Sequence, residues 1–272
     1  GAFSKVRESM MKTKRFNYSQ SYLDHAYKEL TIPADSQGQH QLYKNALHIW
    51  PRNSFMLIAL PNPDGSFTCT LFLAFEGNPA FEQLETEALM PDLTDEFLSN
   101  PTDALLTIRC DPWHYEDKAC LLGDSAHAIV PFYGQGMNAG FEDCMVMDEL
   151  MDHYQGADWG TLFKAFSERR VKDGHAIADL ALFNFIEMRD LVADPHFHKK
   201  EHISALIHEL APDQWLPLYT MVTFSELPYS EAKRRGDEQD EILEKLLQHY
   251  DYEDLCRPEV LKDAIQAYVA VA

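Results

Sequence analysis

One short segment restricts the possible folds of this chain more than any other. The apolar run Cys120-Leu121-Leu122 stops at Gly123-Asp124, and a glycine-containing loop at residues 131–136 leads into an acidic helix start. A strand, a glycine loop and a helix N-terminus in this order suit a bound ligand, because glycine permits close backbone approach and the first helical N–H groups are unpaired. Spacing alone leaves a simpler interpretation open, a tight turn followed by a capped helix.

Composition excludes several other classes of function. The 23 Lys and Arg residues against 44 Asp and Glu residues give a net charge of −21 at pH 7, which disfavours binding to nucleic acid or anionic lipid. Five widely spaced cysteines without a C-x-x-C pair indicate a reducing compartment, the cytoplasm, instead of a disulfide framework or a zinc site. The longest apolar runs are far shorter than the ~20 residues that a membrane helix needs.

Three nearby histidines do not predict a metal site. His196, His198 and His202 lie within seven residues, and we interpret the segment 194–201 as a polar loop. Two adjacent lysines in that segment would repel a divalent cation. The sequence therefore predicts no bound metal.

The spacing of apolar residues predicts strands in the first part of the chain and helices in the rest. The predicted strands are 26–32, 43–50, 55–60, 67–75, 105–110 and 119–122, with turn residues at 61–65 that make a hairpin. Apolar residues that recur every three or four positions predict helices from residue 138 and over 161–192, 202–210, 231–250 and 258–271. The predicted fold class is α/β (α+β), with an antiparallel sheet first and a helical C-terminal region.

The complete string around the glycine loop is more specific than its spacing. Gly-Asp-Ser-Ala-His at 123–127, then Pro131, then Gly-Gln-Gly-Met-Asn-x-Gly-x-Glu-Asp at 134–143 resemble the second FAD-contacting motif of the class A flavin monooxygenases, the aromatic hydroxylase family. Further strings resemble the branch of that family that acts on L-kynurenine, and they lie at 47–52, 67–72, 184–189 and 217–224. The likeness extends to about residue 235.

The resemblance implies a division of the chain into three parts. Residues 1–108 would be mainly the antiparallel sheet of the substrate domain, with the end of the FAD-binding region at its start. Residues 109–155 would be the second half of a Rossmann-like FAD/NAD(P)-binding domain, and residues 156–272 a helical region that completes the substrate pocket.

The resemblance also implies the chemistry. In the family, NADPH reduces FAD, O2 adds at C4a of the flavin, and the resulting hydroperoxide passes its distal oxygen to an electron-rich aromatic ring. For L-kynurenine the position hydroxylated is C3. The cofactor supplies the oxidising power while the protein positions and desolvates the reactants. This accounts for a sequence in which no nucleophilic triad or catalytic carboxylate pair stands out.

Roles for individual residues follow from the same resemblance. Asp124 would accept a hydrogen bond from the ribityl chain of FAD, and the rest of the cofactor site would be Pro131, Gly134, Gly136, Met137 and Asn138. Asn184 and Tyr219 would hold the amino-acid end of the substrate, with Phe132 and Tyr133 beside it. Gln135 is the catalytic candidate, as a positioning group for substrate and flavin.

Some of these assignments have ordinary structural alternatives. Without the resemblance, Asn184 and Tyr219 would be core residues with satisfied polar groups, and Gln135 a structural loop amide. His127 is predicted to form only local bonds in a helical turn, and Cys144 to be buried on its helix.

Two departures from the family pattern limit these expectations. The G-x-G-x-x-G segment that holds the ADP half of FAD and the arginine-bearing part of the substrate pocket have no counterpart, so the chain is expected to be roughly the C-terminal three fifths of such an enzyme. Its missing N-terminal half is then an expected partner. The stretch 76–100 looks shorter than in family members.

Two other functions stay open beside hydroxylation of L-kynurenine. The chain could be a catalytically inactive remnant or interaction module, or part of a hydroxylase of another aromatic acid.

Overall fold

The structure is a computed structural model that describes residues 1–75, 93–156 and 158–269. The strands are β1 (Asn17–Ile32), β2 (His48–Pro51), β3 (Phe55–Pro61), β4 (Phe67–Ala74), β5 (Asp103–Asp111), β6 (His114–Tyr115) and β7 (Ala119–Cys120). The helices are α1 (Lys5–Met10), α2 (Leu93–Ser99), α3 (Asp124–His127), α4 (Gly136–His153), α5 (Trp159–Arg189), α6 (Pro195–Leu210), α7 (Leu218–Phe224), α8 (Tyr229–His249), α9 (Tyr252–Leu255) and α10 (Pro258–Val269). Mixed strands and helices of this kind confirm the predicted fold class.

The chain divides into two compact units. The first unit contains Gly1–Ser19, Ile108–Phe183 and Ala193–Ala272, and the second contains Gln20–Thr107 and Asn184–Val192. The chain passes from one unit to the other within β1, within β5, within α5 and between Val192 and Ala193.

An antiparallel sheet forms the centre of the second unit. Its strand order is β2-β3-β4-β1-β5. The predicted hairpin is confirmed, with Pro61 opposite Phe67 and Phe55 opposite Leu73. Alternate residues of β4 are buried, as expected for a strand with one face toward a core, and Phe67 and Cys69 are both fully shielded from solvent. Asp64 closes the turn by accepting bonds from the N–H and hydroxyl of Ser66.

Two strand predictions differ from the structure. The predicted strand 43–50 is wrong over its first five residues, because a turn at residues 44 and 45 interrupts the extended backbone and β2 begins at His48. The strand predicted over 26–32 is the end of a longer one, since β1 begins at Asn17. Of the stretch 76–100, residues 76–92 lie outside the described residues.

Helices pack in the first unit around two apolar clusters. One surrounds Trp113 and Phe166, and the other gathers Ile203, Trp215 and Leu246 from α6, the following loop and α8. The prediction of a polar loop at 194–201 is wrong, because the Asp194 carboxylate accepts from the N–H of His196 and Pro195 starts α6. None of the helices in the described ranges is both long and apolar enough to cross a membrane.

Candidate functional site

The glycine loop begins with a backbone turn that brings two glycines together. Gly123 has φ +56° and ψ −144°, a conformation that residues with a side chain rarely adopt. A Cβ built on Gly123 would lie 4.0 Å from Cα of Gly140, so α4 passes close to the start of α3. After α3, the carbonyl of Ala128 accepts from the N–H of Ile108 at 2.8 Å, which ties the segment to β5.

A second turn leads directly into α4. Residues Pro131–Tyr133 form a single 3-10 turn, and Gly134 follows in the left-handed region at φ +68°. A Cβ built on Gly134 would meet no atom within 4 Å, so the space next to this turn is open. No side chain caps α4, and the described part of the chain offers no acceptor for the N–H groups of Gly136, Met137 and Asn138. Such unpaired N–H groups attract anionic or electron-rich ligands.

Most of the predicted cofactor residues are exposed. Asp124, Pro131, Gly134, Met137 and Asn138 are all exposed, whereas Gly136 is half-buried. The Asp124 carboxylate accepts no hydrogen bond from any described residue, so it is available to a ligand hydroxyl. An exposed acceptor, an open turn and an uncapped helix start suit a flavin with its ribityl chain, and the residues present therefore fit FAD.

The buried side of the same loop carries Gln135. This side chain is 4% exposed, and its Oε1 accepts from Nδ2 of Asn138 at 3.0 Å and from the hydroxyl of Tyr229 at 3.2 Å. Burial raises the pKa of Tyr229 to about 12, so its hydroxyl keeps its hydrogen at physiological pH. The carbonyl end of the Gln135 amide thus has two donors.

Charged side chains beneath the loop hold it to the helices. We name the set the buried polar cluster, and it consists of His127, Glu142, Asp143, Arg170 and Asp173. Asp143 lies at its centre and is 0% exposed. Oδ2 of Asp143 accepts from Nε2 of His127 at 2.6 Å and from the N–H of Gly123 at 2.8 Å, while Oδ1 accepts from Nε of Arg170 at 2.8 Å.

Arg170 extends this cluster along α5. Its Nη1 lies 2.7 Å from Oε1 of Glu142 and 3.5 Å from Oδ2 of Asp173. Oδ1 of Asp173 accepts from the N–H and the hydroxyl of Ser230, at 3.1 and 2.6 Å. The buried polar cluster therefore connects the Gly123 turn, α4, α5 and the first turn of α8.

The pKa directions follow from burial and these partners. Burial by itself raises the pKa of Asp143, but the bonds and charge of His127, with the donors Gly123 and Arg170, outweigh it and hold the pKa below its ordinary value. Burial raises the pKa of Glu142 despite the neighbouring Arg170. For Arg170, burial acts to lower the pKa, and the surrounding carboxylates raise it above its ordinary value.

The Trp113 ring packs against His127 of the buried polar cluster. The Trp113 ring stacks on His127 with centroids 4.9 Å apart, and its Nε1 donates to the carbonyl of Cys110 at 2.9 Å. A Cβ built on Gly174 would lie 2.6 Å from this ring, so α5 can approach Trp113 only because residue 174 has no side chain.

Two sequence predictions near the loop are wrong. His127 bonds to Asp143, sixteen residues further along the chain, because α4 returns over the Gly123 turn. Cys144 is exposed, because it lies on the outer face of α4 beside Met145. Sequence reasoning also missed Arg170 and Tyr229, and the one signal for the cluster was the Glu142-Asp143 pair, interpreted only as an acidic helix start.

The predicted substrate residues lie in different units. In the first unit, Tyr219 on α7 is 55% exposed and stacks on Tyr133, with ring centroids 5.6 Å apart and 20° between the planes. Phe132 and Tyr133 are each 8% exposed. In the second unit, Asn184 is buried on α5, where its Nδ2 lies 3.6 Å from Sδ of Met188. The structure thus joins Tyr219 to the glycine loop.

Other candidate groups lie outside the loop. A cavity of about 470 Å³ is lined by residues 111, 112 and 114 and by one side of α5, and none of the predicted site residues lines it. His196 lies 3.1 Å from Oε1 of Glu244, and Nδ1 of His202 lies 2.7 Å from the hydroxyl of Tyr252. Across the described residues, no three metal-binding side chains gather at one point.

Comparison with known sequences gives long matches. Residues 75–181 match the family model described as FAD binding domain. The chain is 49% identical over 262 residues to kynurenine 3-monooxygenase of Christiangramia forsetii, covering 91% of this chain and 58% of that protein. Against the Flavobacterium johnsoniae protein of the same name it is 46% identical over 276 residues, covering 96% of this chain and 62% of that protein. For the Sus scrofa protein of that name, the identity is 44% over 264 residues, with coverages of 91% and 55%. The chain spans about three fifths of the length of these curated relatives.

Comparison with solved structures gives the same fold at low identity. The tetrameric form of 2-methyl-3-hydroxypyridine-5-carboxylic acid oxygenase has a TM-score of 0.55 at 18% identity, covering 70% of this chain and 54% of that chain. CtdE in complex with FAD has a TM-score of 0.52 at 12% identity, covering 68% of this chain and 55% of that chain. Identities this low support the fold alone.

Proposed function

Because this chain is 44–49% identical to three kynurenine 3-monooxygenases, we propose that it belongs to their family and supplies the flavin-facing loop and part of the substrate pocket of an enzyme that hydroxylates L-kynurenine at C3. The co-reactants are NADPH and O2, and the cofactor is FAD. The observation that carries the proposal is the loop of residues 123–140, where an exposed carboxylate, an open glycine turn and an uncapped helix start lie together.

The exposed face of the loop is suited to binding FAD. Asp124 accepts from a ribityl hydroxyl, since a carboxylate is an acceptor only. The first N–H groups of α4, at Gly136, Met137 and Asn138, would donate to the flavin ring, and the helix dipole there would favour negative charge by about 0.3–1 kcal/mol. When bound, FAD supplies the redox chemistry that transfers one oxygen atom of O2 to an aromatic ring. Pro131 and Gly134 shape the loop between the cofactor and the substrate.

The substrate is bound by aromatic rings and amides. The stacked pair Tyr133 and Tyr219 offers a flat apolar surface and, at Tyr219, a hydroxyl for the charged amino-acid end of L-kynurenine. Phe132 contributes to this surface. The amide of Asn184 is the other group proposed to contact the substrate. Gln135 offers its Nε2 hydrogens to the ketone oxygen of the substrate. Desolvation of these groups strengthens each hydrogen bond.

The location proposed for the enzyme is the cytoplasm. All five cysteines are free, and two of them, Cys69 and Cys110, are buried with pKa values raised to about 12 by burial. Free thiols persist in a reducing compartment.

The test uses the full-length protein that contains these residues. We expect it to purify with bound FAD, to oxidise NADPH faster when L-kynurenine is added, and to release 3-hydroxykynurenine, measured by chromatography and mass spectrometry. Asp124→Asn should lose flavin, whereas Asp148→Asn, at an exposed position of α4 outside the loop, is the matched control. A protein that takes up no FAD would be an inactive remnant. Turnover of another aromatic acid in place of L-kynurenine would overturn the substrate assignment.

A further inference from the structure

The orientation of the Gln135 amide is fixed by two donors at one end. Asn138 and Tyr229 both donate to its Oε1, at 3.0 and 3.2 Å. Within the described residues, its Nε2 has no acceptor, although the side chain as a whole is only 4% exposed. The amide therefore presents its two N–H bonds away from Tyr229. Reversing it would require the Asn138 amide to reverse as well and the Tyr229 hydroxyl to accept instead of donate.

Tyr229 is itself held firmly. It is 6% exposed and is the first residue of α8. The next residue, Ser230, binds Asp173 through both its N–H and its hydroxyl, and Asp173 faces Arg170 of the buried polar cluster. The hydroxyl position is thus set by the same cluster that holds the Gly123 turn. The buried polar cluster therefore holds both Tyr229, which donates to Gln135, and the Gly123 turn.

We propose that Tyr229 is a positioning residue of the hydroxylation site, which holds Oε1 of Gln135 so that the Nε2 hydrogens are offered to the carbonyl of the aromatic substrate. The assignment of Gln135 rests on the function proposed above. Tyr229 touches neither substrate nor cofactor and acts only through this amide.

The first measurement is substrate affinity in the full-length enzyme with FAD bound. Tyr229→Phe keeps the ring and removes the hydroxyl, so one net hydrogen bond is lost and the Kd for L-kynurenine, from the change in flavin absorbance on titration, should rise about 2–12-fold. The flavin spectrum without substrate should not change. Tyr252→Phe is the matched control, since it removes a buttressing bond to His202 on α6, away from the loop, and should leave the Kd unchanged.

A double-mutant cycle separates positioning from a general structural effect. Gln135→Met has a similar shape and no amide, and in this background Tyr229→Phe should weaken binding no further. An equal loss of affinity in both backgrounds would show that Tyr229 does not act through Gln135. An unchanged Kd in the single variant would also overturn the proposal.

A second measurement does not depend on the substrate. In a crystal structure of Tyr229→Phe, we expect the Gln135 amide to rotate from its wild-type orientation while Gly123 and Asp143 stay in place. If the amide keeps its orientation, the positioning role is wrong whatever the enzyme hydroxylates. If the amide rotates but the wild-type protein does not bind L-kynurenine, the positioning role stands and the proposed substrate is wrong.

Discussion

Asp143→Asn is the substitution that most directly tests how the loop is held. The side chain keeps its size, and one oxygen can still accept from Arg170. The other position becomes an NH2 group opposite two donors, the N–H of Gly123 at 2.8 Å and Nε2 of His127 at 2.6 Å. His127 could accept by moving its hydrogen to Nδ1, but Nδ1 is buried without a partner. Either orientation of the new amide leaves a buried donor without an acceptor: the N–H of Gly123 in this one, or Nε of Arg170 if the amide is reversed.

The expected cost is large because a charge is also lost. Arg170 is 1% exposed and would retain Glu142, which is half-exposed, and Asp173 at 3.5 Å. Removing one partner from a buried, hydrogen-bonded ion pair costs about 3–5 kcal/mol. At about 2–4 °C per kcal/mol for a domain of this size, the Tm should fall by about 6–20 °C.

Thermal unfolding followed by circular dichroism measures the Tm of the wild type and of Asp143→Asn. Asp148→Asn, on the exposed face of α4, is the matched control. The pKa of Asp143 is lowered on folding, so the stability it contributes is present above its ordinary pKa of about 4 and is lost as the pH falls through the lowered value. The gap in Tm between wild type and variant should therefore narrow in acid. A Tm within 2–3 °C, roughly one kcal/mol, of the control at neutral pH would refute the reasoning.

Four other predictions have defined outcomes. Asp124→Ala in the full-length protein should weaken FAD binding about 10–150-fold, as a charged hydrogen bond is lost, and full flavin occupancy after dialysis would contradict its role. Tyr219→Phe and, separately, Asn184→Ala should raise the KM for L-kynurenine without changing the flavin spectrum; wild-type binding in both would place the pocket elsewhere. Gly174→Ala should lower stability by about 1–3 kcal/mol through contact with the Trp113 ring, and an unchanged Tm would mean that the ring can shift. The 272-residue chain expressed alone should bind FAD weakly, because the family holds the ADP half on a G-x-G-x-x-G turn that these residues lack; tight stoichiometric binding would refute this.

The parts of the fold that the sequence predicts well depend on neighbouring residues. The β3–β4 hairpin is an example, since alternation sets the buried face and residues 61–65 supply the turn within one short segment. The exposed face of the glycine loop is another, because Gly134 and the start of α4 follow from local backbone preferences. The start of α6 is also encoded locally, in the capping Asp194 and in Pro195, although the sequence prediction placed a polar loop there.

The buried polar cluster could not be predicted in this way. His127 and Asp143 are sixteen residues apart, Arg170 lies 27 residues beyond Asp143, and Tyr229 is 94 residues from Gln135. Each of these residues has an ordinary local interpretation: a turn histidine, a helix-start carboxylate, a solvated arginine and a core tyrosine. Only the crossing of α4 over Gly123, and the packing of α5 and α8 against it, bring their polar groups within hydrogen-bond distance.

The exposed residues of the glycine loop can be predicted from sequence and the buried polar cluster cannot, because the two sets meet different physical requirements. A residue that contacts a ligand must be accessible, so glycines and exposed polar groups crowd into one loop, and such a local string can be recognised from sequence. A residue that holds this loop must be buried, and a buried charge is tolerated only when opposite charges and donors surround it. Those partners must come from other elements, because a single helix or loop cannot enclose a charge on all sides. The support of the Gly123 turn is therefore spread over α4, α5 and α8, and substitutions at Arg170 or Asp173, distant in sequence from the loop, should loosen flavin binding as well as the fold.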